Sequence, residues 1–170
     1  MSVLRVTKHG ERVLKTPCPP ADFAKIAPDL PALLKDMWAT MHAARGVGLA
    51  APQIGLNMRV AVIDVRPEGK SQRLVLINPE IILAEGEQKE EEGCLSIPGV
   101  YAQLTRAARV RVRALDAEGK PWEMTGEGLL ARAFQHEIDH LDGKLYVDRL
   151  PFEERLKVLD VIKNAKTAWS

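Results

Sequence analysis

The sequence predicts an α+β fold, in which mostly antiparallel sheets pack around a central helix and a further helix lies towards each end of the chain. Apolar residues recur at helical spacing in the first and last thirds, whereas the middle contains short runs rich in Val and Ile. The sequence shows neither a regular alternation of strands and helices nor a glycine-rich phosphate loop. This order of elements favours antiparallel sheets over a parallel α/β sheet.

The N-terminal helix follows a loop-like stretch that is interrupted by several prolines, from Pro17 onward. After Pro31, apolar side chains recur every three or four residues, which is typical of one buried helix face. These side chains are Leu33, Leu34, Met37, Trp38 and Met41. Gly46 and Gly48 are expected to end this helix.

The middle of the chain predicts strands at 59–65 and 74–78, where Val and Ile dominate. Between 109 and 114, arginines alternate with small apolar residues, the period-two pattern of a half-exposed strand. The segment Asp116–Lys120 (DAEGK) predicts a hairpin turn that leads into a further strand at 122–125.

Two helices are predicted in the last third of the chain. Residues 129–141 are apolar over much of a helical surface, and Gly143 is expected to close this central helix. A C-terminal helix is expected at about 152–168, after Pro151. Since one hydrophobic core usually serves ~100–200 residues, we expect residues 1–170 to form a single domain.

Charge and cysteine content exclude several classes of protein. The 24 Lys and Arg residues nearly balance 23 Asp and Glu residues, so neither a specific nucleic-acid sequence nor an anionic membrane is expected as a partner. Cys18 and Cys94 are too few for a disulfide-rich secreted scaffold. Charged residues interrupt the N-terminal segment, whereas a signal peptide needs an uninterrupted apolar stretch there. No apolar run approaches the ~18 residues of a membrane span. We therefore expect a cytoplasmic protein.

The strongest local signal is the segment His136-Glu137-Ile138-Asp139-His140 in the predicted central helix. Residues four apart share a helix face, so both imidazoles can meet one metal ion. In H-E-x-x-H sites the glutamate acts as a general base beside the metal. A catalytic ion of this kind needs a third protein ligand, and without one the segment would be a helix with two histidines on a polar edge.

The third ligand is not given by the usual H-E-x-x-H patterns. The long metzincin pattern requires a histidine at position 146, where this chain has Tyr146. A gluzincin arrangement would need a downstream glutamate, for which Glu153 and Glu154 are candidates at the start of another helix.

Cys94 is the remaining soft ligand, and it lies in a glycine- and proline-containing segment that suits a tight turn. Its alternative role is that of a buried free cysteine, which is what we expect of Cys18. One thiolate with two imidazoles would form a set that suits zinc or iron(II).

A glycine-rich stretch, GVGLAAPQIG at 46–55, lacks the spacing and the basic residue of a phosphate loop. It predicts either a helix-to-strand connection with small residues for packing, or a bare backbone edge that a peptide can approach and that ends in the amide of Gln53.

Together and in this order, the three stretches resemble the peptide deformylase family, whose motifs are G-x-G-L-A-A-x-Q, E-G-C-L-S and Q-H-E-x-D-H. The chain carries them at 46–53, 92–96 and 135–140, matched at every fixed position. The resemblance implies that Cys94, His136 and His140 are metal ligands. The ion would most often be iron(II), with zinc, nickel or cobalt as substitutes.

The resemblance also implies an activity, the removal of the formyl group from the initiator methionine of nascent polypeptides with release of formate. It makes Glu137 the catalytic acid and base, with Gln53 and the backbone N–H of Leu95 stabilising the oxyanion. The methionine pocket would be bordered by three side chains, those of Val47, Leu129 and Ala133, and Gly48 would pair with the substrate backbone. For Leu129 and Ala133 a core role fits the helix pattern almost as well.

Two further features bear on partners. Some relatives carry a substrate-contacting arginine just after E-G-C-L-S, where this chain has Tyr101, and the next arginine is Arg106. In some members the C-terminal helix docks on the ribosome, and the basic positions of this chain permit that contact, although a solvated face is the more frequent meaning of such charges. An H-E-x-x-H metallopeptidase is the alternative activity, and a non-catalytic module with the same fold is a third.

Overall fold

The computed structural model describes residues 2–169. Within this range there are four α-helices, namely α1 Phe23–Ile26, α2 Leu30–Ala43, α3 Gly128–Leu141 and α4 Phe152–Ala165. The strands are β1 Gly48–Ala50, β2 Val60–Ile63, β3 Leu74–Glu85, β4 Gln88–Cys94, β5 Ile97–Arg106, β6 Arg109–Leu115 and β7 Pro121–Glu127. Short 3-10 helices lie at Arg12–Lys15, Ala51–Ile54, Pro67–Gly69, Tyr146–Arg149 and Lys166–Ala168. The α+β prediction is confirmed.

Five strands form an antiparallel sheet in the order β1-β2-β3-β6-β7, and β4 and β5 form a separate antiparallel hairpin. Both faces of the sheet are covered at β2. Its residues Ala61 and Ile63 pack in one hydrophobic cluster with α3, whereas Val60 and Val62 pack in a second cluster with α2. Burial on both faces explains why this strand is a continuous apolar run rather than an alternating one.

The alternation predicted for residues 109–114 is present in β6. Val110, Val112 and Ala114 are buried against α3, and the three arginines that alternate with them from position 109 point to the opposite face. There they pair with glutamates of the neighbouring strands, as in the ion pair between Arg111 and Glu123. The turn into β7 is closed by the Asp116 carboxylate, which accepts hydrogen bonds from the N–H groups of Glu118 and Lys120.

Helix α3 lies at the centre of the molecule and is buried along most of its length. It ends where the sequence predicts, because Gly143 adopts φ +75° and has no room for a side chain. A Cβ at this position would lie 2.8 Å from the carbonyl oxygen of Lys15. Gly143 therefore both ends the helix and lets the N-terminal segment pass close by.

The hairpin β4–β5 and helix α4 belong to a third hydrophobic cluster. It contains Leu14, Ile97, Val100, Leu104, Leu145, Tyr146, Val147, Leu150 and Ile162. The C-terminal helix, expected at about 152–168, is α-helical over Phe152–Ala165 and continues as a 3-10 turn. The sequence patterns did not predict β1 or the two strands of the β4–β5 hairpin.

Candidate active site

The side chains of Cys94, His136 and His140 converge on one point. Their ligand atoms all lie within 4.8 Å of one another. Nε2 of His140 is 3.2 Å from Nε2 of His136 and 3.4 Å from Sγ of Cys94. This spacing lets one ion reach all three atoms at ordinary Zn–N and Zn–S distances of about 2.0–2.3 Å. Within residues 2–169 no fourth His, Cys, Asp or Glu completes the group, so a position would stay open for water or substrate.

Two different elements supply these atoms. The histidines lie one turn apart on the same face of α3, as their spacing predicts. Cys94 is the last residue of β4, where the hairpin turns tightly and Cys94 pairs with Ile97. A register shift between Glu92 and Cys94 interrupts the pairing just before this turn. The tight turn expected around Cys94 is thus a two-residue hairpin connection.

Cys18, by contrast, packs in the hydrophobic cluster beneath α3, and burial raises the pKa of its thiol. Both cysteines are free thiols. Glu153 and Glu154, the alternative ligands, are exposed at the start of α4 and do not join the convergent group.

Glu137 is buried beside the two histidines, with only 3% of its surface exposed. Its Oε1 atom has no hydrogen-bond partner among the described residues. Burial, with a contribution from the charge of Glu92, raises the pKa of Glu137 to about 7, although the charge of His136 acts in the opposite direction. A carboxyl group with this pKa exchanges a proton readily near neutral pH.

Gly48 makes room for Glu137. A Cβ on Gly48 would lie 2.5 Å from Oε2 of Glu137, closer than any side chain can approach. The neighbouring Gly46 likewise faces the Leu95 side chain, with a distance of 2.9 Å from its missing Cβ to Leu95 Cδ1. The two glycines therefore bring the backbone at and just before β1 close to both α3 and the hairpin turn.

The side-chain amide of Gln53 is fixed at both ends. Its Oε1 accepts a hydrogen bond from the N–H of Ala50 at 3.0 Å, which determines the orientation of the amide. Its Nε2 lies 3.2 Å from Oγ of Ser96 and 3.7 Å from Sγ of Cys94. The Gln53 amide nitrogen is thus directed at the site.

Beneath the convergent side chains lies a buried network of charges. The Glu92 carboxylate accepts hydrogen bonds from Arg106 at 2.6 and 2.9 Å and from Arg132 at 2.7 Å, and it lies 2.7 Å from Nδ1 of His136. Burial alone would raise the pKa of Glu92, but its hydrogen bonds to Arg106 and His136 outweigh burial and lower it well below the ordinary value. Glu92 is therefore a buried carboxylate that remains ionised.

The network continues to α3 and beyond. Arg106 also donates to Asp139 at 2.8 Å, and Asp139 accepts a further hydrogen bond from Arg149 at 2.7 Å. Sequence reasoning did not give roles to these residues. Glu92 and Asp139 lie inside two of the motifs, but the two arginines that bind Glu92 carry no local signal in the sequence.

A cavity of about 740 Å³ opens above these groups. It is lined by every site residue that the sequence predicts except His140, which is buried below it. The predicted residues on its wall are Val47, Gly48, Gln53, Cys94, Leu95, Leu129, Ala133, His136 and Glu137. Two exposed side chains, Leu129 and Tyr101, stand at its mouth. Arg106 does not line the cavity, because it is buried in its ion pairs with Glu92 and Asp139.

Comparison with known proteins agrees with this geometry. The family model described as polypeptide deformylase matches residues 3–156. The chain belongs to the polypeptide deformylase family. Among curated relatives, the peptide deformylase of Alkalilimnicola ehrlichii is 49% identical over 158 residues, which cover 93% of this chain and 88% of the relative. That of Acidobacterium capsulatum is 46% identical and covers 99% of this chain and 98% of the relative.

Solved deformylase structures share the fold. The peptide deformylase of Legionella pneumophila superposes with a TM-score of 0.89 at 44% identity and covers 98% of this chain and 97% of its own. The Synechococcus elongatus enzyme, solved in complex with actinonin, gives a TM-score of 0.85 at 42% identity. The match covers 92% of this chain and 86% of that enzyme. Like its family, the chain is a metal-dependent hydrolase that removes the N-formyl group from nascent peptides. Across residues 2–169, no helix has both the length and the apolar character needed to cross a membrane.

Proposed function

We propose that the deformylase reaction of this chain takes place in the 740 Å³ cavity, with Cys94, His136 and His140 as the metal ligands. The observation that carries this proposal is the position of Glu137, a buried carboxylate beside the three convergent ligand atoms, whose Oε1 has no hydrogen-bond partner among the described residues. When bound there, a divalent ion would supply Lewis acidity. One thiolate and two imidazoles suit iron(II), with zinc, nickel or cobalt as substitutes.

Glu137 accepts a proton from water as the water oxygen attacks the formyl carbon. The C–N bond of the formamide then breaks, and Glu137 returns the proton to the leaving amine nitrogen. The products are formate and a peptide with a free amino terminus. Burial, which raises the pKa of Glu137, supports this role, because it brings the carboxyl group closer to the neutral range in which it can both accept and return a proton.

Gln53 and Leu95 stabilise the negative oxygen that forms during the attack. The Gln53 amide is held with its nitrogen towards the site, because its oxygen is occupied by the N–H of Ala50. Leu95 lies in the hairpin turn directly after Cys94 and lines the same cavity, which supports its backbone N–H as the second donor. Each donor of this kind typically contributes ~2.7–4 kcal/mol to lowering the barrier.

The substrate lies along β1. This strand is at one end of the sheet order and pairs only with β2 among the described strands, so its other edge is open to a peptide backbone at Gly48. Three apolar side chains that line the cavity, those of Val47, Leu129 and Ala133, form the pocket for the methionine side chain. Tyr101 stands at the cavity mouth in place of the arginine of some relatives.

The same proposal places the enzyme in the cytoplasm, where formylated nascent chains are made. Helix α4 is the candidate for a transient contact with the ribosome. It carries basic residues such as Lys157 and Lys163, and it exposes Phe152, Leu156 and Val161. Basic side chains of this kind attract the RNA phosphate backbone without reading its sequence.

The decisive experiment measures formate release from a formyl-Met peptide by the chain purified anaerobically, with metal analysis of the same sample. We expect a bound divalent metal, rapid formate release and no cleavage of an unblocked peptide. Glu137→Gln should keep the metal and lose at least a hundredfold in kcat, whereas the control Glu153→Gln, on exposed α4, should match the wild type. A metal-free active protein, a fully active Glu137→Gln, or internal peptide cleavage would each refute the proposal.

A further inference from the structure

The proposed ligands come from two elements that are packed into different parts of the core. The apolar side of α3, with Phe134, Ile138 and Leu141, packs with the five-stranded sheet in one hydrophobic cluster. The hairpin that carries Cys94 packs through Ile97, Val100 and Leu104 in the third cluster, with α4 and the segment between α3 and α4. The distance between the cysteine and the histidines therefore depends on the contacts that join the hairpin to α3.

Glu92 lies at this junction and is saturated with partners. Its Oε1 accepts from Nε of Arg106 and from Nη1 of Arg132, and its Oε2 accepts from Nη2 of Arg106 and faces Nδ1 of His136. A carboxylate has about four lone-pair positions, so none remains free. The Glu92 side chain cannot rotate without breaking several charge-assisted hydrogen bonds at once.

Arg132 spans the junction from the helix side. It lies one turn before His136 on the same face of α3, so both side chains reach Glu92 together. Its guanidinium group donates to three acceptors of the hairpin, namely Glu92 Oε1 at 2.7 Å, the carbonyl oxygen of Leu104 at 2.9 Å and Gln88 Oε1 at 3.3 Å. These acceptors belong to both strands of the hairpin. Arg132 is itself only 5% exposed, so water competes little for its bonds to Glu92 and Leu104.

We propose that Arg132 is a positioning residue of the metal centre, which ties the hairpin bearing Cys94 to the helix bearing His136 and His140. This inference rests on the proposed metal site. The planar fork of the guanidinium group lets one side chain bind a carboxylate, a carbonyl and an amide oxygen at once, and a lysine ammonium group cannot reproduce that arrangement. Hydrogen-bond partners that orient metal ligands typically change metal affinity by about 10–100-fold when they are removed, and Arg132 acts through such a partner, Glu92.

The test compares metal binding by the wild type, Arg132→Leu and Arg132→Lys, with Arg59→Leu as a matched control. Arg59 is also largely buried and joins distant segments through the carbonyls of Leu141 and Pro79 and the carboxylate of Asp142, but it contacts neither Glu92 nor a proposed ligand. Zinc affinity is measured by competition with a chromophoric chelator. The cobalt-loaded proteins are compared by the intensity and position of their visible and thiolate-to-metal absorption bands.

We expect Arg132→Leu to bind zinc about tenfold to a hundredfold more weakly and to show altered cobalt bands. Arg132→Lys should show a smaller shift in the same direction, and Arg59→Leu should keep wild-type affinity and bands even where its thermal midpoint falls. Unchanged affinity and bands in Arg132→Leu overturn the inference, as does an equal loss in Arg59→Leu. If Arg132→Leu does not fold, the zinc affinity and cobalt bands of Arg132→Lys decide the question. If neither variant folds, Arg132 contributes to stability alone and the inference is overturned.

The wild-type measurements separate this inference from the proposed function. A wild-type chain that binds no metal refutes the metal site itself. A wild-type chain that binds metal and releases formate, together with an Arg132→Leu variant that binds metal equally well, refutes only the role of Arg132.

Discussion

Nδ1 of His136 lies 2.7 Å from Oε2 of Glu92, a carboxylate that is almost completely buried. The contact leaves Nε2 of His136 directed towards His140 and Cys94. The carboxylate thereby determines which nitrogen of the ring is available to a metal ion, and it fixes the plane of the ring. The site thus depends on a buried residue that is not itself one of the three converging side chains.

Glu92→Gln is expected to weaken metal binding about 10–100-fold, because the amide has only one acceptor oxygen and cannot accept hydrogen bonds from the His136 ring and from both guanidinium groups at once. Stability should fall by about 3–5 kcal/mol, since Arg106 and Arg132 lose the charge that compensates their burial. Chelator competition and urea unfolding measure the two effects. Glu90→Gln, an exposed change two residues earlier in β4, is the control, and an equal loss of metal there would contradict the prediction.

Gly48→Ala is expected to reduce kcat about a hundredfold with metal content unchanged. The added methyl group would overlap the Glu137 carboxylate, and a displacement of about 1 Å at a catalytic group has an effect of this size. Steady-state formate release and metal analysis check both parts. Gly69→Ala adds the same methyl group in an exposed turn at φ +78°, so it should cost stability but not kcat. A fully active Gly48→Ala would show that Glu137 tolerates displacement.

Removing the metal is expected to abolish activity and leave the fold intact. Three hydrophobic clusters bury the core independently of the ligand atoms, and a chain of this length buries ~70% of its unfolded surface. Dialysis against a chelator should therefore leave the far-UV circular dichroism unchanged and eliminate formate release, which added zinc or iron(II) restores. Loss of the helical signal on chelation would instead make the ion a structural element.

Asp64→Asn is expected to lower the free energy of unfolding at pH 7 by about 1 kcal/mol, through the loss of charge from its hydrogen bonds. Burial would raise the pKa of Asp64, but hydrogen bonds from Ser71 and from the N–H groups of Gln72 and Arg66 outweigh it and lower the pKa. The ionised form is thus favoured by folding. Its contribution is complete above the unfolded pKa of about 3.9 and is lost as the pH falls through the lower folded value.

Urea unfolding between pH 7 and pH 3 measures this effect. The difference in free energy of unfolding between Asp64→Asn and the wild type should be constant above about pH 5 and should become smaller below about pH 4. Asp160→Asn, on the exposed side of α4, should show no such difference at any pH. If this difference in free energy of unfolding instead grew as the pH falls, the pKa of Asp64 would be raised by folding rather than lowered.

Local patterns predicted most of the secondary structure. The helix after Pro31 is α2, the alternation at 109–114 is β6, and the glycine at 143 ends α3, because in each case neighbouring residues alone decide the conformation. The hairpin β4–β5 was not predicted as strands. Its first strand is rich in exposed glutamates, and only its pairing partner and the packing beneath Glu92 make it a strand.

The sequence by itself determined the chemistry of this protein, because the motifs at 46–53, 92–96 and 135–140 carry the residue types and the helical spacing that the reaction needs. Only the tertiary structure decided how these parts meet. Cys94 is more than forty residues from the histidines, and its distance to them depends on how the hairpin packs against α3. The ion pairs of Arg106 and Arg132 with Glu92 depend on the same packing, since long-range contacts between charged side chains have no periodic signature in a sequence.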